Sequence, residues 1–243
     1  MSDSKPIGAP AETNSHLPKH ETEEKHPLNA KLVGKLMFAI NTRFDIAYTV
    51  KELARHLHRN GDFHWKAAKR VLQYLKGTAN VPLLLRACEN KQITLSAFTD
   101  AAWKQGGTGR GTSGGVLAIG KSAIGVLSQT QHCVTLSSCE AEIYAGITLA
   151  MEVVCYRRIL VEMGIEQLEP TVIWTDSKSS LPVYEKLIPK GVGKVVDGRL
   201  HKNHELVIDG IIVFKYMPTN DLCADVFTNN CLDLKSRISQ ERL

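Results

Sequence analysis

Apolar positions recur at helical spacing in successive stretches: Leu32, Val33, Leu36, Met37 and Ile40, then Ile46, Val50, Leu53, Ala54 and Leu57, then Trp65, Ala68, Val71, Leu72 and Leu75. Asp45 and Asp62 stand where the second and third helices would be capped, and Gly77 follows the third as a stop. A small helical segment is therefore expected over residues 30–80. Its outward faces would carry Lys51, Arg55, His58, Arg59, Lys66, Lys69, Arg70 and Lys76. Beyond it the period shortens. Residues 81–86, 93–99, 115–119 and 123–129 are short apolar or alternating runs separated by Gly, Asn and Lys, the texture of an antiparallel meander. A long helical pattern over 137–163 follows, then a strand over 171–175 ending at Asp176, helices over 177–187 and 201–207, a strand over 211–216 and a short helix over 221–227. The order is that of an α/β domain occupying residues 81–230. Residues 1–29 are polar and rich in proline and histidine, with no periodic apolar pattern, and read as a flexible linker or arm; residues 231–243 read as a tail.

Composition narrows the class. With 243 residues, 43% hydrophobic and 23% charged, the chain is large enough for a real core and far from the composition of disordered sequences. No apolar run approaches the ~20 residues a bilayer span needs, so no membrane partner is expected. Met1 is followed by Ser-Asp-Ser-Lys-Pro, without a basic stretch leading into an apolar core, and the expected location is intracellular, cytoplasmic or nuclear, rather than secreted. The six cysteines form no CxxC pair, which argues against a zinc site or a disulfide framework. A net charge of +5 is a mild bias towards a polyanionic partner and decides nothing alone.

Candidate chemistry lies in four carboxylates. Asp100 ends an apolar strand, Glu142 falls in the first turns of the long helix, Asp176 ends the next strand, and Asp225 sits in the last short helix. An acid at the end of a buried strand destabilises unless a cap, a cation or a metal compensates it. Taken singly, each has a structural explanation: Asp100 as a turn residue, Asp176 as a helix cap, Asp225 as a solvated helix residue. Together they are harder to explain that way.

The segments Thr42-Arg-Phe-Asp-Ile46, residues 64–78, Thr99-Asp-Ala-Ala-Trp103, Thr112-Ser-Gly114, Leu136-Ser-Ser-Cys-Glu-Ala-Glu142, Thr175-Asp-Ser-Lys-Ser179 and Ala224-Asp-Val-Phe-Thr228 stand in one order and spacing. In these segments the chain resembles the C-terminal part of Ty1/copia-type retrotransposon Pol polyproteins, the end of the reverse transcriptase thumb or connection plus the ribonuclease H domain. The resemblance implies an RNase H-like mixed five-stranded sheet flanked by helices, preceded by the small helical unit. It also implies that Asp100, Glu142, Asp176 and Asp225 hold two divalent ions, Mg²⁺ or Mn²⁺, and cleave the RNA strand of an RNA:DNA hybrid. Hydrolysing a phosphodiester needs charge on both the attacking and the leaving oxygen, and hard cations want oxygen ligands, so the four acids suit that chemistry. The palm and fingers of the same polyprotein would be the protein partner, and Lys66, Lys69, Arg70 and Lys76 would meet phosphates.

The sequence also departs from the family. Ala102 stands where a second acid usually follows the first aspartate, Lys194-Val-Val-Asp197 replaces Lys-His-Ile-Asp, and Asn229 replaces a lysine. A non-catalytic or domesticated nucleic-acid-binding module of the same fold is therefore the alternative reading. Trp65 and Trp103 read either as core or as stacking platforms, and His201 as structural. Of the two nearby glutamates, Glu140 fits a capping box with Ser137, while Glu142 is the one the resemblance places at the metals.

Overall fold

The computed structural model describes residues 4–12, 17, 27–58, 60–86, 93–104, 109–185 and 194–228. Helices α1 (Pro27–Ala39), α2 (Ala47–Arg55) and α3 (Asp62–Gly77) come first, then strands β1 (Leu95–Ala102), β2 (Thr112–Ile119) and β3 (Ser122–Thr130). The long helix α4 (Ser138–Glu162), strand β4 (Thr171–Thr175), helices α5 (Leu181–Glu185) and α6 (Lys194–Ile208) and strand β5 (Ile212–Tyr216) complete the regular elements, before 3-10 turns at Thr219–Asp221 and Cys223–Phe227.

The five strands form one mixed sheet in the order β3-β2-β1-β4-β5. Strand β1 runs antiparallel to β2 and parallel to β4, and β4 runs parallel to β5. Both parallel connections pass through helices, α4 between β3 and β4 and then α5–α6 between β4 and β5, as parallel pairing demands. The alternation of β1 sorts its side chains between two layers. Leu95 and Ala97 join Leu117, Leu149, Ala150, Val153, Ile173, Leu200 and Phe214 under the helices, whereas Phe98 faces Val116, Ala118 and Ala123 on the other side.

That second face is covered by the 3-10 turn carrying Leu222, Cys223, Ala224, Val226 and Phe227, together with Phe44 and Ala47 of the helical unit. The helical unit thus closes the sheet as well as preceding it. Its own core is Val33, Leu36, Ile46, Val50, Leu53, Ala68, Val71 and Tyr74, the positions that helical spacing selects.

Several local expectations change. Residues 81–86 belong to no strand: Leu83 packs on the sheet and the Arg86 N–H donates to Ser122 Oγ at 2.7 Å, while Leu84 and Leu85 are left 48% and 67% exposed. The stretch expected as a helix over 177–187 forms α5 only from Leu181, after a turn at residues 178–180. Asp45 caps nothing: it accepts from Arg43 at 2.6 Å and from the Tyr74 hydroxyl at 2.6 Å, tying the α1–α2 turn to α3. Asp62 is the first residue of α3, where the Gly61 N–H donates to His64 Nδ1 at 3.1 Å. Lys51 and Arg55 point inward rather than to solvent, both paired with buried Glu52, at 2.7 and 2.9 Å. Residues 4–12, within the expected arm, lie against α3: the Lys76 ammonium donates to the Ser4 carbonyl at 2.9 Å, and a Cβ on Gly77 would meet Pro6 Cβ at 2.9 Å. Arg59, Asn229 and the expected tail 231–243 lie outside the described residues.

Candidate metal centre

Because β1 and β4 run parallel, their C-terminal ends lie at one edge of the sheet, and each ends in an acid. Asp100 is near the end of β1, opposite Gly114 in the β1–β2 register, and Asp176 directly follows β4. Helix α4 brings the third acid. Ser137 caps it by accepting from the Glu140 N–H at 3.1 Å, and the Glu140 carboxylate reaches back to the Leu136 N–H at 2.6 Å. The capping role expected of Glu140 is therefore present, shifted by one residue from the Ser137 N–H to that of Leu136. Glu142, two residues on, turns inward, and its Oε1 accepts from the Ala101 N–H at 3.3 Å.

Oxygens of Asp100, Glu142 and Asp176 all lie within 4.8 Å of one another. The carboxylates are held individually. Thr228 Oγ1 donates to Asp100 Oδ2, Thr219 Oγ1 donates to Asp176 Oδ2 at 2.7 Å, and Glu142 Oε2 is buried with no hydrogen-bond partner. Two further buried side chains hold the helix that presents Glu142. Gln131 Nε2 donates to the Ala141 carbonyl at 2.9 Å, and the Tyr184 hydroxyl donates to the Glu142 carbonyl at 3.0 Å while its ring stacks on Phe214. Gly146 makes room for that tyrosine, since a Cβ there would overlap its hydroxyl.

The electrostatic consequence is strong. Burial pushes the Asp100 carboxyl up to about 7, opposed by the Thr228 hydroxyl and reinforced by the charges of Asp225 and Asp176. Burial likewise lifts Glu142 to about 9, with the charges of Asp100 and Asp176 adding to it. Three acids forced together, one with an orphaned buried oxygen, are a site short of positive charge. An all-oxygen donor set of this kind fits a hard divalent cation.

Asp225 lies outside that group of three but is close enough for its charge to raise both Asp100 and Glu142. Its main-chain carbonyl accepts from the N–H of Thr228 at 3.2 Å and lies 3.0 Å from the hydroxyl oxygen, whose one proton goes to Asp100, so the turn that carries Asp225 also aims Thr228 at Asp100. Ala102, two residues after Asp100, pairs with Thr112 in the sheet and adds no acid to the group.

The cations expected at phosphates run along α3. Lys66 is exposed; Lys69 lies over the Trp65 ring at 5.5 Å; Arg70 approaches Glu12 at 3.3 Å; and Lys76 is on the Ser4 carbonyl. None of them bonds to the acidic group. Trp103 donates to the Thr135 carbonyl at 3.0 Å and is 38% exposed, and His201 is exposed on α6. Sequence reasoning gave no role to Thr228, Thr219, Gln131 or Tyr184, because a lone hydroxyl or amide carries no spacing signal. Thr228 does close the segment Ala224-Asp-Val-Phe-Thr228.

No family model matches the chain. It is 32% identical over 94% of its length to the retrovirus-related Pol polyprotein from transposon TNT 1-94 of Nicotiana tabacum, of which it covers 18%. It is 30% identical over 94% of its length to that from transposon RE2 of Arabidopsis thaliana, of which it covers 16%. Among solved structures, the foamy viral protease-reverse transcriptase dRH in complex with double-stranded DNA superposes over 85% of this chain and 33% of that one, with a TM-score of 0.51 at 14% identity. LC11-RNase H1 matches over 60% of this chain and 99% of its own, with a TM-score of 0.43 at 17% identity. The mixed five-stranded sheet flanked by helices is an RNase H-like fold. No helix among the described residues is long and apolar enough to cross a membrane. Over most of its length the chain is thus similar to retrovirus-related Pol polyproteins of plant copia-like transposons, as a fragment of such a polyprotein would be, and it spans less than a fifth of the length of either relative.

Proposed function

We propose that this RNase H portion of a Pol polyprotein is a divalent-metal-dependent endonuclease that cuts the RNA strand of an RNA:DNA hybrid. The observation that carries the reading is the convergence of Asp100, Glu142 and Asp176 within 4.8 Å at the C-terminal edge of the sheet, with one buried glutamate oxygen left unsatisfied. Asp225 completes the set as the acid whose charge both Asp100 and Glu142 feel. Mg²⁺ or Mn²⁺ held by these residues, two ions in all, would supply Lewis-acid charge at the scissile phosphate.

The protein's own contribution is positional. Thr228 and Thr219 each fix one oxygen of an aspartate, and Gln131 and Tyr184 hold the first turns of α4 by their carbonyls. The carboxylates therefore need little reorganisation when a cation arrives, which is how such a site gains affinity and rate together. Hybrid selectivity would come from 2′-hydroxyl contacts and groove shape rather than from base edges. Lys66, Lys69, Arg70 and Lys76 add sequence-independent attraction from α3, and the palm and fingers of the same polyprotein would deliver the hybrid.

The test is incubation of the chain with a hybrid labelled on the RNA strand, with Mg²⁺, Mn²⁺ or EDTA. Cleavage is expected with either metal and not with EDTA. Asp176→Asn should abolish it while hybrid binding persists. Equal cleavage by the wild type and Asp176→Asn would refute the metal role, and binding without any cleavage would favour the non-catalytic module.

A further inference from the structure

Cation–aromatic pairs stand at the same edge of the sheet as the acids, on separate elements. Lys104 Nζ lies 4.2 Å from the Trp103 ring centre, in the turn just after β1. Lys178 Nζ lies 4.6 Å from the Tyr216 ring, and Tyr216 pairs with Thr175, the residue before Asp176. The Arg199 guanidinium lies 5.3 Å from the Tyr144 ring and donates to its hydroxyl, joining the second turn of α4 to that of α6. Topology places this third pair at the acid edge too. α6 ends just before the start of β5, so its first turns lie towards the end of β4, and Tyr144 stands two residues beyond Glu142.

These cations differ from those on α3. Lys104, Lys178 and Arg199 are all exposed, and none forms an ion pair among the described residues. Trp103 and Tyr216 are each 38% exposed, so a flat face and a charge are offered side by side. Lys104 is also the only non-glycine residue with a positive φ among the described residues, at 50°. A long side chain in that region of backbone space is disfavoured, and such positions concentrate where a side chain must be aimed.

We infer that Lys104–Trp103, Lys178–Tyr216 and Arg199–Tyr144 form the close-contact cradle for the nucleic-acid duplex, with the cations on phosphates and the rings against sugars beside the scissile position. The inference rests on the proposed function for the identity of the duplex. Phosphate contacts fix register without reading sequence, and an aromatic face against a sugar is equally indifferent to the base, so the arrangement suits a substrate cut regardless of sequence. It separates two roles. The α3 cations, of which Arg70 and Lys76 are held by Glu12 and the Ser4 carbonyl, act at a distance from the acid edge, while the three pairs touch the duplex.

The experiment is equilibrium binding of a labelled RNA:DNA hybrid to the full chain in EDTA over a salt series. Omitting divalent ions makes the readout indifferent to cleavage. Lys104→Gln, Lys178→Gln and Arg199→Gln combined should reduce the slope of log affinity against log salt by about 2 to 3, at roughly 0.7 to 0.9 per phosphate lost. Lys66→Gln, Lys69→Gln and Arg70→Gln combined should change it by less than about 1, and Arg158→Gln, on the exposed face of α4, should leave it unchanged. Tyr216→Leu should weaken binding several-fold without altering the slope. If the Arg199 change disturbs folding, Lys104→Gln and Lys178→Gln alone still carry the test, at about 1.5 together. An unchanged slope in these variants, or a larger loss from the α3 set, overturns the inference. Binding through the three pairs without any cleavage would sink the endonuclease reading and leave this one standing; cleavage with an unchanged slope would do the opposite.

Discussion

Thr228 donates its hydroxyl to Asp100 Oδ2 across 128 residues of sequence, and Gly114 makes that contact sterically possible. Gly114 is the β2 partner of Asp100, and a Cβ on it would lie 2.6 Å from Thr228 Cγ2 and 3.2 Å from the Ala224 carbonyl oxygen. The glycine opens the strand so that the last turn can press against it. Thr228→Val keeps the shape and removes the donor, leaving a buried carboxylate without its hydroxyl. It should cost about 1.5 to 3 kcal/mol at alkaline pH, where Asp100 is ionised, and less at acidic pH; Thr228→Ser should recover most of it. Gly114→Ala should lose a similar amount through the displaced turn. Thermal unfolding of the four proteins at both pH values checks this, and a loss for Thr228→Val that does not grow with pH would count against the hydroxyl–carboxylate account.

The two glutamates of α4 separate by function. Glu140 is committed to the helix start through the Leu136 N–H, whereas Glu142 is pushed up to about 9 and so is largely protonated at neutral pH without a cation. Glu142→Gln therefore replaces one neutral group by another, and the melting temperature in EDTA should hardly move while metal-dependent cleavage is lost. Glu140→Gln should cost roughly 0.5 to 1 kcal/mol and leave turnover largely intact. Unfolding scans run beside hybrid cleavage decide it; the opposite pattern would move the ligand role to Glu140.

What the sequence displayed and what it hid follow the range of the interactions. Helical period picked out Val33, Leu36, Val50, Leu53, Ala68 and Val71, all of which are buried. Motif spacing found Asp100, Glu142 and Asp176, which do converge. Residues 81–86 misled because five consecutive non-polar residues look the same whether a strand pairs or a loop merely lies on the surface. Lys51 misled because period assigns it to an outer face, while a docked sheet offers it the Thr112 hydroxyl at 2.9 Å. Nothing local could reveal that docking.

That docking has a consequence for stability. Phe44 and Ala47 share one cluster with Phe98, Val116, Ala118, Ala123 and the Leu222–Phe227 turn, so helical unit and sheet melt together rather than as independent parts. Phe44→Ala should lower stability by about 3 to 5 kcal/mol, and the loss should appear in one cooperative transition. A fragment starting after residue 80 should expose the face around Phe98 and Val116 and aggregate or bind a hydrophobic dye. Two separate transitions in the intact chain, or a soluble and cooperatively folding fragment, would show that the units are independent.

The acidic group ties folding to pH and to metal in a direction that can be worked out. Asp100 and Glu142 have folded-state values of about 7 and about 9, above their ordinary values of 3.8 and 4.5. Raised carboxyl groups favour folding while protonated, so their contribution is fully present below the ordinary values and is lost as pH rises through the folded ones. In EDTA, stability should therefore fall between about pH 4 and pH 9, with most of the decline below neutrality, where both groups hold protons that the unfolded chain has released, and a shallower decline above it from Glu142 alone. A divalent cation offsets the repulsion and must displace the remaining protons to bind, so its affinity should rise with pH and its binding should release protons near neutrality. Mg²⁺ or Mn²⁺ should accordingly raise the melting temperature little at about pH 5.5 and most at about pH 8.5. Asp100→Asn combined with Glu142→Gln should flatten both the decline in EDTA and the rescue by metal. Titration calorimetry in buffers of different ionisation enthalpy measures the protons released. A metal-induced stabilisation that is independent of pH, or that survives in the double variant, would place the cation elsewhere on the protein.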